Sequence, residues 1–315
     1  MFNMSNVMRV KQPDFMWAYF GQFGTAMWAR RKESLEFDFD VWRAMTDRMA
    51  KNGLNVLVMD LGEGLAYPSH PELAVKGSWA PERMRDEIAR LKDMGILAIP
   101  KLNFSTCHDA WLGDYARMVS TPTYYAVCAD LIRDVARIFD EAPLLHLGYD
   151  EEEWLDQEPY DHVVIRQGEL WWHDFLWFAE ETRKAGFRPW VWADPVWFMK
   201  DEYLKRMPKD VLQSNWYYFT TFNEKAGAVS PKGRPAQAPY YKVLSDAGFE
   251  QVPCSSNYRV NENCALTALH CRHVIRPDLL KGFLHSPWCP TVGKNRAQIL
   301  AGVSQLAAVK HAVGG

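Results

Sequence analysis

The chain has 315 residues with a formal net charge of −3, and 48% of its residues are hydrophobic and 24% charged. This composition is typical of a globular protein with a large core, and it lacks the excess positive charge that binds nucleic acid or an anionic membrane. The sequence has no apolar run of the roughly 20 residues that a membrane-spanning helix needs. We therefore expect neither a nucleic-acid partner nor a membrane partner.

Short apolar runs alternate with segments of helical periodicity along the whole chain. Asn52-Gly53 and Gly95 are helix-ending signals, and Thr121 or Thr123 and Asn261 or Asn263 are candidate caps. In chain order the pattern predicts a strand at 15–20, helix 40–51, strand 55–59, helix 81–94, strand 96–102, helix 123–140, strand 144–147, helix 169–184, strand 189–193, helix 200–206, strand 211–216, helix 240–247, strand 249–254, helix 263–275, strand 282–286 and helix 296–313.

Eight strands, each followed by a helix, predict parallel pairing and an α/β fold of the closed (β/α)8 TIM barrel type. A doubly wound open sheet is the alternative, but no G-x-G-x-x-G turn follows the first strand. The chain has no low-complexity linker, and the Gly-, Pro-, Lys- and Ala-rich stretch 222–238 reads as an insertion within one βα unit. We expect one domain over 1–315, with the barrel proper at about 14–312.

The most informative segment is 144–153, LLHLGYDEEE, in which a buried strand ends in adjacent carboxylic acids. In a parallel barrel, ligands bind at the carboxyl ends of the strands. Apolar walls beside such acids can separate their pKa values, as acid/base chemistry requires. The alternative is a solvated acidic loop after a core strand.

The other strands are predicted to bring acids, amides and tryptophans to the same end. Aromatic faces with hydrogen-bonding groups around them suit sugars, because the ring stacks on C–H groups and the polar groups bind hydroxyls. For any single tryptophan, core packing is the alternative. The residues expected to bind a carbohydrate substrate are Asp60, His108, Trp192, Asp194, Trp216, Tyr258 and Trp288.

The pattern His146-x-Gly148-x-Asp150-Glu151 resembles the H-x-G-G-D-E signature that follows barrel strand 4 in family 20 glycoside hydrolases, the β-N-acetylhexosaminidases. The segment 103–111 resembles that family's strand-3 P-G-H-x-x-A stretch, and the tryptophans after strands 5, 6 and 8 resemble its aromatic pocket. The resemblance covers about 14–312.

Three positions depart from the family pattern. Tyr149 stands where the signature has its second Gly, and Pro290 stands where a carboxylate usually follows the strand-8 tryptophan. The segment 17–21, WAYFG, offers no counterpart to the strand-1 Arg that grips sugar hydroxyls.

The resemblance implies a retaining glycosidase for β-linked N-acetylhexosaminides that needs no cofactor. Glu151 would be the general acid/base, and Asp150 would orient the 2-acetamido group whose oxygen attacks the sugar carbon. Adjacent residues leaving one strand point apart, so Asp150 is poorly placed as a conventional nucleophile beside Glu151. A non-catalytic carbohydrate-binding barrel, and a glycosidase of another family pairing one of these acids with Asp60 or Asp194, remain alternatives.

Metal catalysis is the next alternative. The histidines His70, His108, His146 and His285 lack H-x-H or H-E-x-x-H spacing, so no metal is expected. His146 lies inside a strand, which favours a hydrogen-bonded core histidine. Cys107 beside His108 is disfavoured as a nucleophile, since sequence neighbours rarely face each other.

Cysteine usage and the N-terminal segment bear on localisation. The six cysteines form no C-x-x-C pair, which favours reduced thiols, although their even number leaves disulfides open. The first 15 residues lack the apolar region of a signal peptide. We expect a cytoplasmic protein, or an exported one if a leader has been removed.

Overall fold

The computed structural model describes residues 9–24, 31–158, 162–229 and 235–313. Eight strands lie in these ranges: β1 Met16–Gln22, β2 Val56–Asp60, β3 Leu97–Lys101, β4 Leu144–His146, β5 Arg188–Trp192, β6 Leu212–Ser214, β7 Cys254–Ser256 and β8 Gly282–Ser286. The α-helices of the same ranges are α1 Phe39–Lys51, α2 Pro81–Asp93, α3 Pro122–Ile138, α4 Trp154–Gln157, α5 Gly168–Lys184, α6 Pro195–Phe198, α7 Lys200–Arg206, α8 Tyr240–Asp246, α9 Asn263–Val274 and α10 Arg296–Val313.

The strands form one sheet with the neighbour order β6-β5-β4-β3-β2-β1-β8-β7. Pairing is parallel where β1 meets β8, where β3 meets β4, and where β5 meets β6. Parallel bridges join Gln213 of β6 to Gln251, just before β7, and Trp216, just after β6, to Cys254 of β7, so the two ends of that order are paired. The predicted (β/α)8 barrel is therefore confirmed.

The seventh strand was predicted in the wrong place. It was expected at 249–254, but the regular strand comprises only Cys254–Ser256. Pro253 has no N–H to donate to a neighbouring strand, so it interrupts the ladder. Upstream of it, Gln251 makes only isolated bridges, to Gln213 and to Leu280.

The candidate caps of the two helices have different outcomes. Thr121 caps α3 as predicted, because its side chain accepts a hydrogen bond from the Tyr124 N–H. Asn263 is instead the first residue of α9, and its Oδ1 accepts from the Ser256 N–H at 2.9 Å. Its Nδ2 donates to the carbonyls of Tyr217 and Phe219. The side chain therefore links the loops after β6 and β7 rather than capping a helix.

Packing divides the chain into two compact units. The first takes the described residues of 1–12, 22–37 and 58–189, and the second those of 13–21, 38–57 and 190–315. The strands β3 and β4 belong to the first unit, and β6, β7 and β8 belong to the second. The assignment of a single domain over 1–315 stays a prediction.

All six cysteines are free thiols and all are buried. Burial raises the pKa of the Cys128 thiol on α3 and of the Cys271 thiol on α9 well above the ordinary value. The expectation of reduced cysteines is confirmed. Over the described residues, every helix is too short or too polar to cross a bilayer.

Candidate active site

The backbone that follows β4 is unusual. Gly148, Tyr149 and Glu151 all have positive φ angles, of 76°, 70° and 56°. L-residues with side chains rarely adopt this left-handed region, and such strain gathers at functional sites where the surroundings enforce it. The turn redirects the chain sharply where β4 ends, which sets the directions of the Asp150 and Glu151 side chains.

Tyr149 occupies a left-handed conformation that suits glycine better than a residue with a side chain. The strain is offset by packing, because the Tyr149 ring is buried with its centroid 5.6 Å from that of Trp171 and 5.3 Å from that of Phe175. Arg166 lies over the ring at 4.6 Å and donates to the Tyr149 hydroxyl at 3.1 Å. Aromatic and cation–π contacts thus hold the non-glycine residue in place.

Gly148 is required by a close approach as well as by its φ angle. A Cβ there would lie 2.5 Å from Asn103 Cγ and 3.0 Å from Asn103 Cα. The Gly148 N–H donates to His146 Nδ1 at 3.0 Å. Burial, followed by the charge of Lys101, lowers the pKa of His146 well below its usual value. His146 is thus a hydrogen-bonded core histidine, as expected.

Asp150 is held from two sides. Asn103 Nδ2 donates to its Oδ1 at 3.1 Å, and His108 Nε2 lies 3.4 Å from its Oδ2. Burial alone would raise the pKa of Asp150. The charge and hydrogen bond of His108, the charge of Lys101 and the Asn103 hydrogen bond outweigh burial and lower this pKa to about 2. Asp150 is therefore a fixed, ionised acceptor.

Glu151 also contacts the imidazole of His108, but its side chain is more exposed than that of Asp150. Its Oε2 lies 3.2 Å from His108 Nε2, and 32% of its side chain is exposed, against 12% for Asp150. Burial by itself lowers the pKa of His108, but the charge of Asp150 and hydrogen bonds to both carboxylates raise it well above the ordinary value. A protonated His108 can donate to either acid, so the two carboxylates form one hydrogen-bonded group.

A buried ion network involves the residue that follows the acid pair in the chain. Glu152 Oε1 accepts from the Thr106 N–H at 2.9 Å and from Arg166 Nη2. Arg166 also donates to the Phe104 carbonyl at 2.8 Å, and its Nη1 lies 3.4 Å from Asp174 Oδ2. Arg166 thereby ties the loops after β3 and β4 to helix α5. Sequence analysis missed it, because nothing in a loop residue ahead of a helix indicates these partners.

Asp60 was predicted to bind substrate, and the structure buries it at the last position of β2. It is 1% exposed, and its Oδ2 accepts from Lys101 Nζ at 2.7 Å. Lys101 was also missed, although a lysine within the apolar run 96–102 is a usable signal of a buried ion pair. The positive charge of Lys101 also helps to lower the pKa of Asp150.

One set of residues in the first unit could hold a metal ion. A thiol, an imidazole nitrogen and a carboxylate oxygen from Cys107, His108 and Glu151 lie within 4.8 Å of one another. These are the ligand types that zinc takes in proteins. The sequence-based expectation of no metal remains untested.

The three predicted tryptophans lie in the second unit and form part of an aromatic cluster, defined as Trp192, Trp197, Trp216, Tyr218 and Trp288. Centroid distances are 5.6 Å for Trp192–Trp288, 6.1 Å for Tyr218–Trp288 and 4.5 Å for Trp197–Trp216. Trp216 and Tyr218 stack at 5.1 Å with 14° between their planes. The structure thus brings the three tryptophans into one chain of ring contacts, and Trp197 was missed.

The members of this cluster differ in exposure. Trp192 is 1% exposed and Trp216 9%, whereas Trp288 is half-buried with a φ of 45°. Asp194 Oδ1 accepts from the Trp216 indole N–H at 3.3 Å, so this acid orients a ring. Tyr258 is 56% exposed, and the Arg259 guanidinium lies 5.6 Å from its ring centroid.

Fold and site together define a (β/α)8 barrel with an acid pair at the carboxyl end of β4, where barrel enzymes bind substrate. No protein-family profile and no curated protein matches the sequence. Solved structures do match, and they include several proteins named β-N-acetylhexosaminidase or β-N-acetylglucosaminidase.

The β-N-acetylhexosaminidase of Bacteroides fragilis matches with a TM-score of 0.63 at 15% identity, over 92% of this chain and 65% of that one. The family 20 exo-β-N-acetylglucosaminidase of Vibrio harveyi matches with a TM-score of 0.60 at 14% identity, over 93% and 54%. Dispersin B matches with a TM-score of 0.57 at 15% identity, over 89% and 96%. The chain thus spans about half to two-thirds of the length of the first two proteins. The predicted resemblance to the family is confirmed at the level of the fold.

Proposed function

We propose that the chain is a glycosidase that hydrolyses β-linked N-acetylhexosaminides with retention and substrate assistance. The observation that carries the proposal is the unequal pair Asp150 and Glu151, two adjacent acids on one imidazole of which one is fixed and the other accessible. The similarity in fold to enzymes named β-N-acetylhexosaminidase supports this substrate class.

Asp150 suits the task of holding an acetamido group. Its low pKa keeps it ionised, and each carboxylate oxygen can accept a further hydrogen bond besides those from Asn103 and His108. The substrate N–H would donate to this carboxylate. That contact would direct the acetamido oxygen at the anomeric carbon, which is catalysis by positioning.

Glu151 suits the transfer of a proton to the leaving oxygen. The accessible side chain can reach a bound glycoside, and its contact with His108 places a second proton donor beside it. In the first step Glu151 gives its proton to the leaving group. It then takes one from the water that opens the oxazolinium-type intermediate, which restores the starting state.

A conventional pair of carboxylates is less well supported within the first unit. Asp60 is the partner that sequence analysis offered there, and its carboxylate is bound to Lys101 in the interior. A nucleophile must reach the sugar carbon, so an acid that is 1% exposed and paired with a lysine is poorly suited to that role.

We further propose that the aromatic cluster of the second unit binds carbohydrate. Half-buried Trp288 offers a ring face, and the hydrogen bond from Trp216 to Asp194 fixes the orientation of the second indole. Sugars bind such fixed rings through stacked C–H groups. His108, Trp192 and Tyr258 remain candidate substrate contacts.

The test compares aryl β-glycosides with and without a 2-acetamido group. The wild-type enzyme should hydrolyse only the acetamido sugars. Glu151→Gln should lose most activity on substrates with poor leaving groups and less on activated aryl glycosides, because protonation then matters less. Asp150→Asn should impair both classes, since the internal nucleophile loses its orientation in each.

Glu153→Gln is the matched control, because it makes the same exchange in the same acidic run and should leave the rates unchanged. Equal hydrolysis of plain glucosides would exclude substrate assistance. Tight binding of acetamido sugars without turnover would contradict the proposed enzymatic activity and support a non-catalytic carbohydrate-binding barrel.

A further inference from the structure

The loop after β3 and the turn after β4 together present three different metal-ligand types. Cys107 and His108 are neighbours in the β3 loop, and Glu151 lies 43 residues beyond His108 in the chain. Their thiol, imidazole and carboxylate atoms lie within 4.8 Å of one another. We propose that these three residues bind a thiophilic divalent cation, with Zn²⁺ the best fit, and that the bound ion blocks Glu151.

The distances suit a tetrahedral ion after a small contraction. Zinc bonds of about 2.0 to 2.3 Å place neighbouring ligand atoms about 3.3 to 3.8 Å apart in a tetrahedron. His108 Nε2 and Glu151 Oε2 are already 3.2 Å apart. The exposed fraction of Glu151 lets its carboxylate adjust, and it also gives an ion a route from solvent.

The ligand set selects the kind of ion. A thiolate with an imidazole favours Zn²⁺ over Mg²⁺ and Ca²⁺, which prefer oxygen ligands. Three protein ligands leave a fourth position for water, as in open zinc sites. The Asp150 carboxylate, 3.4 Å from His108 Nε2, adds negative charge next to the site.

Binding has a defined chemical consequence. The Cys107 thiol and the imidazolium of His108 each release a proton to solvent when their sulfur and nitrogen coordinate the ion, since the thiolate and the neutral imidazole are the ligands. Glu151 gives an oxygen lone pair to the same ion and then has no proton to transfer to a leaving group. The cation would therefore inhibit hydrolysis, a consequence that rests on the proposed function, whereas the binding itself does not.

The test begins with binding, independently of activity. Full-length protein is titrated with Co²⁺, whose thiolate charge-transfer band in the near ultraviolet reports a sulfur ligand, and Zn²⁺ is then added to displace it. Cys107→Ser should abolish the band and weaken Zn²⁺ binding by at least about tenfold. Cys289→Ser is the matched control, a buried thiol of the second unit that should leave both unchanged.

Zinc K-edge absorption on the unaltered protein covers the case in which Cys107→Ser does not fold, and it should show one sulfur at about 2.3 Å. A first coordination shell of Zn²⁺ without sulfur would overturn the proposed site. Zn²⁺ binding by Cys107→Ser as tight as that of wild type would overturn it too. If aryl N-acetylglucosaminide hydrolysis is present, Zn²⁺ should suppress it in wild type and spare it in Cys107→Ser. Zn²⁺ bound through sulfur without inhibition would overturn the blocking of Glu151 alone.

Discussion

Replacement of Gly148 by alanine tests whether the β4 turn controls the acid pair. The added Cβ would lie 2.5 Å from Asn103 Cγ and 3.0 Å from Asn103 Cα, well inside normal contact distance. Because one of these atoms is backbone, rotation of the Asn103 side chain alone cannot relieve the overlap. We expect Asn103 to move and its hydrogen bond to Asp150 to be lost.

The cost has two parts. The left-handed φ of 76° costs an alanine about 1 to 2 kcal/mol, and overpacking adds about 1 to 3 kcal/mol. Gly95→Ala is the matched control in the same unit. Gly95 has a φ of 75°, but a Cβ there meets nothing within 4 Å, so only the backbone cost applies. The difference between the two variants measures the clash with Asn103.

Chemical denaturation of both variants gives the free energies of unfolding, and hydrolysis of an aryl N-acetylhexosaminide gives the activity. Gly148→Ala should lose activity as well as stability, whereas Gly95→Ala should lose only stability. Combining Gly148→Ala with Asn103→Ala should recover part of the stability, since the clashing side chain is gone. Equal stability losses for the two single variants would refute the packing argument.

Three further predictions concern Asp150, Arg166 and Trp216. Asp150 has a folded pKa of about 2, below its ordinary 3.8, so it stabilises the native state above about pH 4. This contribution should disappear between about pH 4 and 2, and the stability gap between wild type and Asp150→Asn, followed by denaturation across pH, should close there. Arg166→Met leaves the buried carboxylate of Glu152 without its cation and should cost about 3 to 5 kcal/mol in denaturant unfolding, and a loss below 1 kcal/mol would contradict the network's role. Trp216→Ala should weaken sugar binding in calorimetry by about 1 to 3 kcal/mol, and Trp216→Phe, which keeps a ring but not the hydrogen bond to Asp194, should weaken it less.

The fold could be predicted well because its signals are local. Alternating apolar runs and helix-ending glycines are visible within a few residues of the elements they define, and β8 and α10 have the predicted bounds of 282–286 and 296–313. The seventh strand was misplaced because an apolar run does not reveal which backbone N–H groups pair. Pro253, which has no N–H to donate, was the residue that indicated a later start for this strand.

The candidate site was predictable only in part. Asp150 and Glu151 follow directly from their position after a buried strand, and strand order brings His108 to them. The roles of Lys101 and Arg166 depend on contacts between residues distant in sequence. The Arg166–Phe104 bond, for example, spans 62 positions. No periodicity or spacing in the sequence encodes such a pair. The charges that surround Asp150 could therefore be identified only from the three-dimensional structure.

The buried thiols give this protein its own reporters of local opening. An alkylating reagent reacts with a thiolate, and Cys128 and Cys271 can form one only when the surrounding structure opens to water. Cys128 lies in the first unit and Cys271 in the second. Peptide mass spectrometry after timed labelling would therefore give a separate opening rate for each unit, without an added probe or a substitution.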